Sequence, residues 1–273
     1  MLKNRVVTAV IILPIVVWCI LGLPWVGFAI LSAAVLAWGA WEWGGLLAHH
    51  RAEGNKQLST RFFYLAIILI CFLTSYFLPP EIILFVALIW WLIAIALLFF
   101  YSQTNIFWGK SWVIQAVMGI LALVPCWIGL NVIHFLEKGN HLVLFILVVI
   151  WCADTGAYFT GKQFGKVKLL PEVSPKKTVE GAFGGLLSSM IAATLGVWIL
   201  KLPIHDWPEL LFLTIISVIF SIFGDLLESA VKRQANCKDS GSILPGHGGM
   251  LDRIDSMLSA VPIFALGLLM IGK

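Results

Sequence analysis

The chain has 273 residues, of which 60% are hydrophobic and only 12% charged, with a net charge of +4. Soluble domains run near about 45–50% apolar and about 25% charged, so a soluble enzyme and a disordered chain are both excluded. A polytopic membrane protein remains, and its apolar runs are measured against the roughly 20 residues that one spanning helix needs.

No charge occurs from Val6 to Trp41. That run is too long for one span, and Leu21-Gly22-Leu23-Pro24 supplies a turn within it, which predicts helices over 6–21 and 25–47. The apolar run outlasts the core of a signal peptide, so the first span is expected to stay uncleaved. Further spans are expected at 62–78, 82–101, 112–136, 141–160, 182–200, 209–230 and 251–271, with Pro79-Pro80 and Glu137–Asn140 as breaks. The expectation is an all-α polytopic membrane protein of nine transmembrane helices, N-terminus cytosolic and C-terminus outside. Five spans fall in residues 1–140 and four, with two long cytosolic loops, in a catalytic region 141–273.

Lys and Arg set the orientation, because cytosolic segments carry them in excess. With the N-terminus inside, 15 of the 18 fall on the cytosolic side; only Lys138, Lys201 and Lys273 fall outside. The long cytosolic segments, 161–181 and 231–250, are where water-soluble substrates would be handled. The five cysteines form no C-x-x-C pair and read as small hydrophobes. Small residues at Gly181, Gly184, Gly185, Ser188 and Ser189 allow another helix to approach closely, either within the chain or in a homodimer.

A charge at mid-bilayer costs about 2.5–3.5 kcal/mol on insertion scales, so carboxylates in spans need partners or water. Asp154, Asp225, Glu228, Asp252, Asp255 and Glu42 all lie in or at the ends of apparent spans. Asp225, Glu228, Ser229 and Lys232 stand at i, i+3, i+4 and i+7, one face of a helix; Asp252, Asp255, Ser256 and Ser259 repeat the pattern on the next. Two such stripes joined by a cytosolic loop are expected to face each other across a wet cavity. Clustered carboxylates with open oxygens suit a hard cation such as Mg²⁺.

The loop between the stripes holds Gly241, Gly246, Gly248 and Gly249, which permit close backbone approach to phosphate. Gly248-Gly249 precede a helix start, whose free N–H groups attract anions. In the other long loop, Lys162, Lys166, Lys168, Lys176 and Lys177 outnumber Glu172 and Glu180. Such a loop can face anionic lipid or capture a polyanion. Ser174-Pro175 predicts a helix start there, with Lys176 and Lys177 in its first turn.

Ser229-x-x-Lys232-Arg233, Lys238-Asp239, Pro245-x-His247-Gly248-Gly249 and Asp252-Arg253-x-Asp255 together resemble the signature of the phosphatidate cytidylyltransferase (CDP-diacylglycerol synthase) family. Asp154-Thr155-Gly156-Ala157-Tyr158 and Ser174 to Gly181 also resemble segments of that family, so the likeness covers roughly residues 151–262. The resemblance implies a bacterial inner-membrane enzyme, its site on the cytosolic side, that joins CTP to phosphatidic acid with Mg²⁺. The products are CDP-diacylglycerol and pyrophosphate. It implies catalytic roles for Asp225, Lys232, Asp252, Arg253 and Asp255. Metal ligation falls to Asp225, Asp252, Asp255 and Glu228, with room for a second cation. Lys176, Lys177, Ser229, Arg233, Lys238, His247, Gly248 and Gly249 would bind substrate phosphates. Membrane lipid is an expected partner and nucleic acid is not.

Rival readings are a transporter, a CDP-alcohol phosphotransferase and a CTP-dependent polyprenol kinase. Inverted repeats and broken helices are not seen, and the D-G-x-x-A-R motif of the second is absent. The kinase would release CDP instead of pyrophosphate.

Overall fold

The computed structural model describes residues 13–49, 55–241, 243 and 248–272. A helix α1 (Leu13–Gly22) is followed by α2 (Trp25–His49), α3 (Asn55–Ser75), α4 (Pro80–Phe99), a short α5 (Tyr101–Trp108) and α6 (Trp112–Phe135). Then come α7 (Gly139–Phe164), strands β1 (Lys168–Leu170) and β2 (Ser174–Thr178), α8 (Val179–Ile199), α9 (Trp207–Gln234) and α10 (Leu251–Met270). Eight of these helices are long and apolar enough to cross a membrane, and α1 is a shorter apolar helix. The beginning of the expected first span, residues 6–12, lies outside the described residues.

Helix boundaries follow local chemistry. Pro80 opens α4, where its missing N–H costs nothing. Ser111 caps α6, its Oγ accepting from the Ile114 N–H at 3.4 Å. Both α7 and α9 run one turn past their expected ends, because a helix keeps its hydrogen bonds beyond the last apolar residue.

The described residues are helical as expected, with one short antiparallel hairpin among them, in which Lys168 pairs with Thr178 and Leu170 with Ser174. One expectation is corrected. No helix starts at Ser174-Pro175: these residues lie in β2. The residue before a proline is pushed out of the α region, which favours an extended Ser174. Thr178 is the cap instead, accepting the Gly181 N–H at 3.1 Å, so Lys176 and Lys177 precede the helix. The Glu180 carboxylate accepts the N–H groups of Lys166 and Val167 at 3.1 Å each, and Val173 is fully buried, which pins the hairpin to the bundle. The other addition is α5, bound through Tyr101, whose hydroxyl accepts from Gln234 of α9 at 2.8 Å.

The centre of the bundle is α6 and α10, with 61% and 67% of their membrane-length windows buried, against 22% for α3 and α8 at the rim. Lipid tails are as apolar as leucine, so close packing rather than apolar burial holds spans together. At Gly129 of α6 an added Cβ would lie 3.1 Å from Pro262 Cα of α10. The small residues of α8 serve packing within the chain: Gly184 lies against the Thr160 side chain and Gly185 against the Ala153 carbonyl, both of α7. The outward side of α8 carries exposed Phe183, Leu187, Ile191 and Leu195.

Candidate active site

The two polar stripes face each other as their spacing implies. Helices α9 and α10 approach closely at Gly224, where any Cβ would collide with Ser259 Oγ and the Asp255 carbonyl. Ser259 Oγ also donates to the Phe220 carbonyl at 2.7 Å, fastening α10 to α9. In consequence carboxylate oxygens of Asp225, Glu228 and Asp255 lie within 4.8 Å of one another.

These three carboxylates differ in what they already bind. Asp225 Oδ2 pairs with Lys177 Nζ at 2.7 Å, and its Oδ1 accepts from Ser229 Oγ at 3.2 Å. Asp255 Oδ1 accepts the Ser256 N–H at 2.7 Å. Glu228 is 1% exposed; its Oε2 accepts from Lys232 Nζ at 2.7 Å, and its Oε1 is buried with no protein partner. Three hard oxygen donors, one of them buried and unpartnered, fit a divalent cation such as Mg²⁺.

Asp252 is engaged differently. Its Oδ1 accepts from Lys232 Nζ at 2.6 Å, and its Oδ2 accepts the N–H groups of Ser240 at 3.1 Å and Gly249 at 2.8 Å. Lys232 is thus held between Glu228 and Asp252 on the two stripes. The start of α10 is also occupied. Glu42 of α2 accepts the N–H groups of Met250 at 3.0 Å and Leu251 at 2.8 Å. The helix N-terminus expected to attract substrate phosphate therefore already holds two protein carboxylates.

A cavity of about 620 Å³ opens beside the carboxylates, between α7, α8, α9, α10 and the hairpin. Asp154, Asp225, Asp252 and Asp255 line it together with Lys162, Lys168, Lys176 and Lys177. Asp154 accepts from Ser256 Oγ at 3.4 Å. Small residues, Ala153, Ala157, Gly161, Gly181 and Gly185, form its wall on the α7 and α8 side. Four ammonium groups facing four carboxylates suit a polyanion delivered with a metal cation.

Of the residues singled out from the sequence, Asp225, Asp252, Asp255, Lys176 and Lys177 line this cavity, and Glu228, Ser229 and Lys232 lie directly behind it. Arg233, Lys238 and Arg253 are exposed and are not part of its lining. Gly248 adopts φ +81°, a left-handed conformation that glycine takes without strain. His247, with Pro245 and Gly246, lies outside the described residues. Lys162 and Lys168, expected as part of a basic loop that faces lipid or captures a polyanion, also line the cavity. Lys162 continues the helical face of Asp154 and Tyr158, a periodicity that could have placed it.

A family model described as Cytidylyltransferase family matches residues 3–271. The phosphatidate cytidylyltransferase of Pseudomonas aeruginosa is 42% identical over 267 residues, covering 97% of this chain and 96% of that protein. The phosphatidate cytidylyltransferase of Haemophilus influenzae is 33% identical over 282 residues, covering 97% and 98%. That of Bacillus subtilis is 45% identical over 151 residues, covering 53% and 56%.

Proposed function

The chain belongs to the cytidylyltransferase family, and from that premise we propose that it transfers the cytidylyl group from CTP to phosphatidic acid, giving CDP-diacylglycerol and pyrophosphate in phospholipid synthesis. One observation carries the reading beyond the family: three carboxylates converge, and two of them, Asp225 and Asp255, line a cavity that also presents four lysines.

The nucleophile is an oxygen of the lipid phosphate, ionised at neutral pH, so no serine, cysteine or strong base is required. It attacks the α-phosphorus of CTP; the new P–O bond forms as the bond to the β-phosphate oxygen breaks, and pyrophosphate leaves. The barrier is the approach of two anions, and positioned cations lower it. Lys176 and Lys177 hold phosphate oxygens, aided by Lys162 and Lys168 at the mouth. Asp225, Glu228 and Asp255 would hold Mg²⁺, and Asp154 lines the same cavity. A bound divalent cation supplies charge neutralisation to the phosphates. Lys232 and Asp252 keep the two stripes in register. Ser229 orients Asp225, and Arg233, Lys238, Gly248 and Arg253 would meet CTP outside the cavity; His247 keeps the phosphate-binding role that the family signature implies.

We place the chain in the bacterial cytoplasmic membrane with nine spans, α1 completing the count, and the site on the cytosolic side. The Lys and Arg asymmetry supports this orientation. Residues 141–273 hold the reacting groups and residues 1–140 form their support. A homodimer would use other surfaces than the glycines of α8, such as its exposed apolar side.

The test is purified protein with phosphatidic acid, CTP and Mg²⁺. Stoichiometric pyrophosphate and CDP-diacylglycerol are expected. Release of CDP would make it a lipid kinase, and no nucleotide turnover would leave the transporter reading.

A further inference from the structure

Glu42 is the first acidic residue of the chain, near the end of an otherwise uncharged apolar run. It is 3% exposed, so its carboxylate is buried within the protein. Its hydrogen-bond partners among the described residues lie near the other end of the sequence. Oε1 accepts the Met250 N–H at 3.0 Å, and Oε2 accepts the Leu251 N–H at 2.8 Å and the Ser240 hydroxyl at 2.9 Å. The backbone leaves no slack there: a Cβ on either Gly241 or Gly249 would run into the Glu42 carboxylate.

These contacts do not stop at the loop. Ser240, whose hydroxyl binds Glu42, gives its N–H to Asp252 at 3.1 Å. Asp252 holds Lys232 at 2.6 Å, and Lys232 holds Glu228 Oε2 at 2.7 Å. The last group in the series is the unpartnered Glu228 Oε1, in the three-carboxylate cluster. A continuous series of hydrogen bonds and ion pairs therefore runs from the N-terminal helices to the cluster. Its members are buried or nearly so, where such bonds are strong and a missing partner is costly.

We propose that Glu42 is a positioning residue for the transfer reaction: through Ser240, Asp252 and Lys232 it fixes the carboxylate of Glu228 for the cation that the cluster takes. Helix capping alone explains only the two backbone bonds. The Ser240 hydroxyl bond links the same carboxylate to the loop that orients Asp252, and a cap does not need it.

The inference rests on the reading of Asp225, Glu228 and Asp255 as cation ligands, and the experiment separates the two. Wild-type protein, Glu42→Gln and Ser240→Ala are purified in detergent, and the melting temperature is followed as Mg²⁺ alone is added. Turnover with CTP and phosphatidic acid is measured alongside. Wild-type protein is expected to be stabilised by Mg²⁺. In both variants the Mg²⁺ needed for half of that stabilisation rises at least threefold, and kcat at saturating Mg²⁺ falls more than the KM for CTP changes. Glu42→Asp, too short to reach all three partners, falls between. Should Glu42→Gln fail to fold, Ser240→Ala decides alone, since it leaves both backbone bonds of Glu42 in place.

A lowered melting temperature with a wild-type Mg²⁺ midpoint and wild-type kcat would make Glu42 a cap and nothing more. Wild-type protein without any Mg²⁺ response would instead overturn the cation cluster itself.

Discussion

Lys232 shows how a buried charge can be structural even inside a family signature. Its ammonium touches carboxylates on both sides, at 2.7 and 2.6 Å, so it ties the two polar stripes together. Removing one member of such a network leaves buried charges unpaired, at about 3–5 kcal/mol. Lys232→Met should therefore lower the unfolding free energy in detergent by about that amount. Arg233→Ala, at the exposed neighbouring position, should stay within about 0.5 kcal/mol by the same measurement. Asp225 is the opposite case, lying on the cavity with one oxygen on a lysine. Asp225→Asn should abolish Mg²⁺-dependent turnover while the protein remains folded by melting temperature and gel filtration; near-wild-type turnover would remove Asp225 from the metal site.

At the level of elements, close packing of α7 on α8 shapes the small-residue wall of the cavity. Gly184→Leu would drive a side chain into Thr160, and overpacking of this kind costs about 1–3 kcal/mol. Turnover should fall with stability, and Thr160→Ala in the same chain should restore part of both, a coupling that a double-mutant cycle measures. The spans and the two stripes were legible in the sequence because the bilayer imposes a length and the helix a period, and both leave a pattern of apolar and polar residues. The hairpin was not legible: its strands are only three and five residues long, and Ser174-Pro175 fits a helix start as well as a strand. Nor could the sequence show that Glu42 would occupy the start of α10, since periodicity carries no information from one helix to a distant one. The N–H groups of Gly249 and Leu251, expected to attract phosphate, are for the same reason given to carboxylates of the chain itself.

For the molecule as a whole, the asymmetry of Lys and Arg is the strongest statement about topology. A reporter enzyme fused after Lys273 should be active only in its extracytoplasmic form; activity in the cytosolic form would remove one span from the count of nine. The contact between Glu42 and Leu251 spans 209 positions of sequence, and synthesis proceeds at about 5–20 residues per second, so the two are made about 10–40 s apart. During that interval α2 is already built and its carboxylate has no α10 to receive. Biogenesis thus passes through a species with an unsatisfied acid near the membrane, completed only when α10 is made. A chain ending before Leu251 keeps that defect permanently and should be degraded faster than the full chain in a pulse–chase experiment. Glu42→Leu in the shortened chain should slow its loss. The carboxylate that orders the finished site would then also mark the unfinished one.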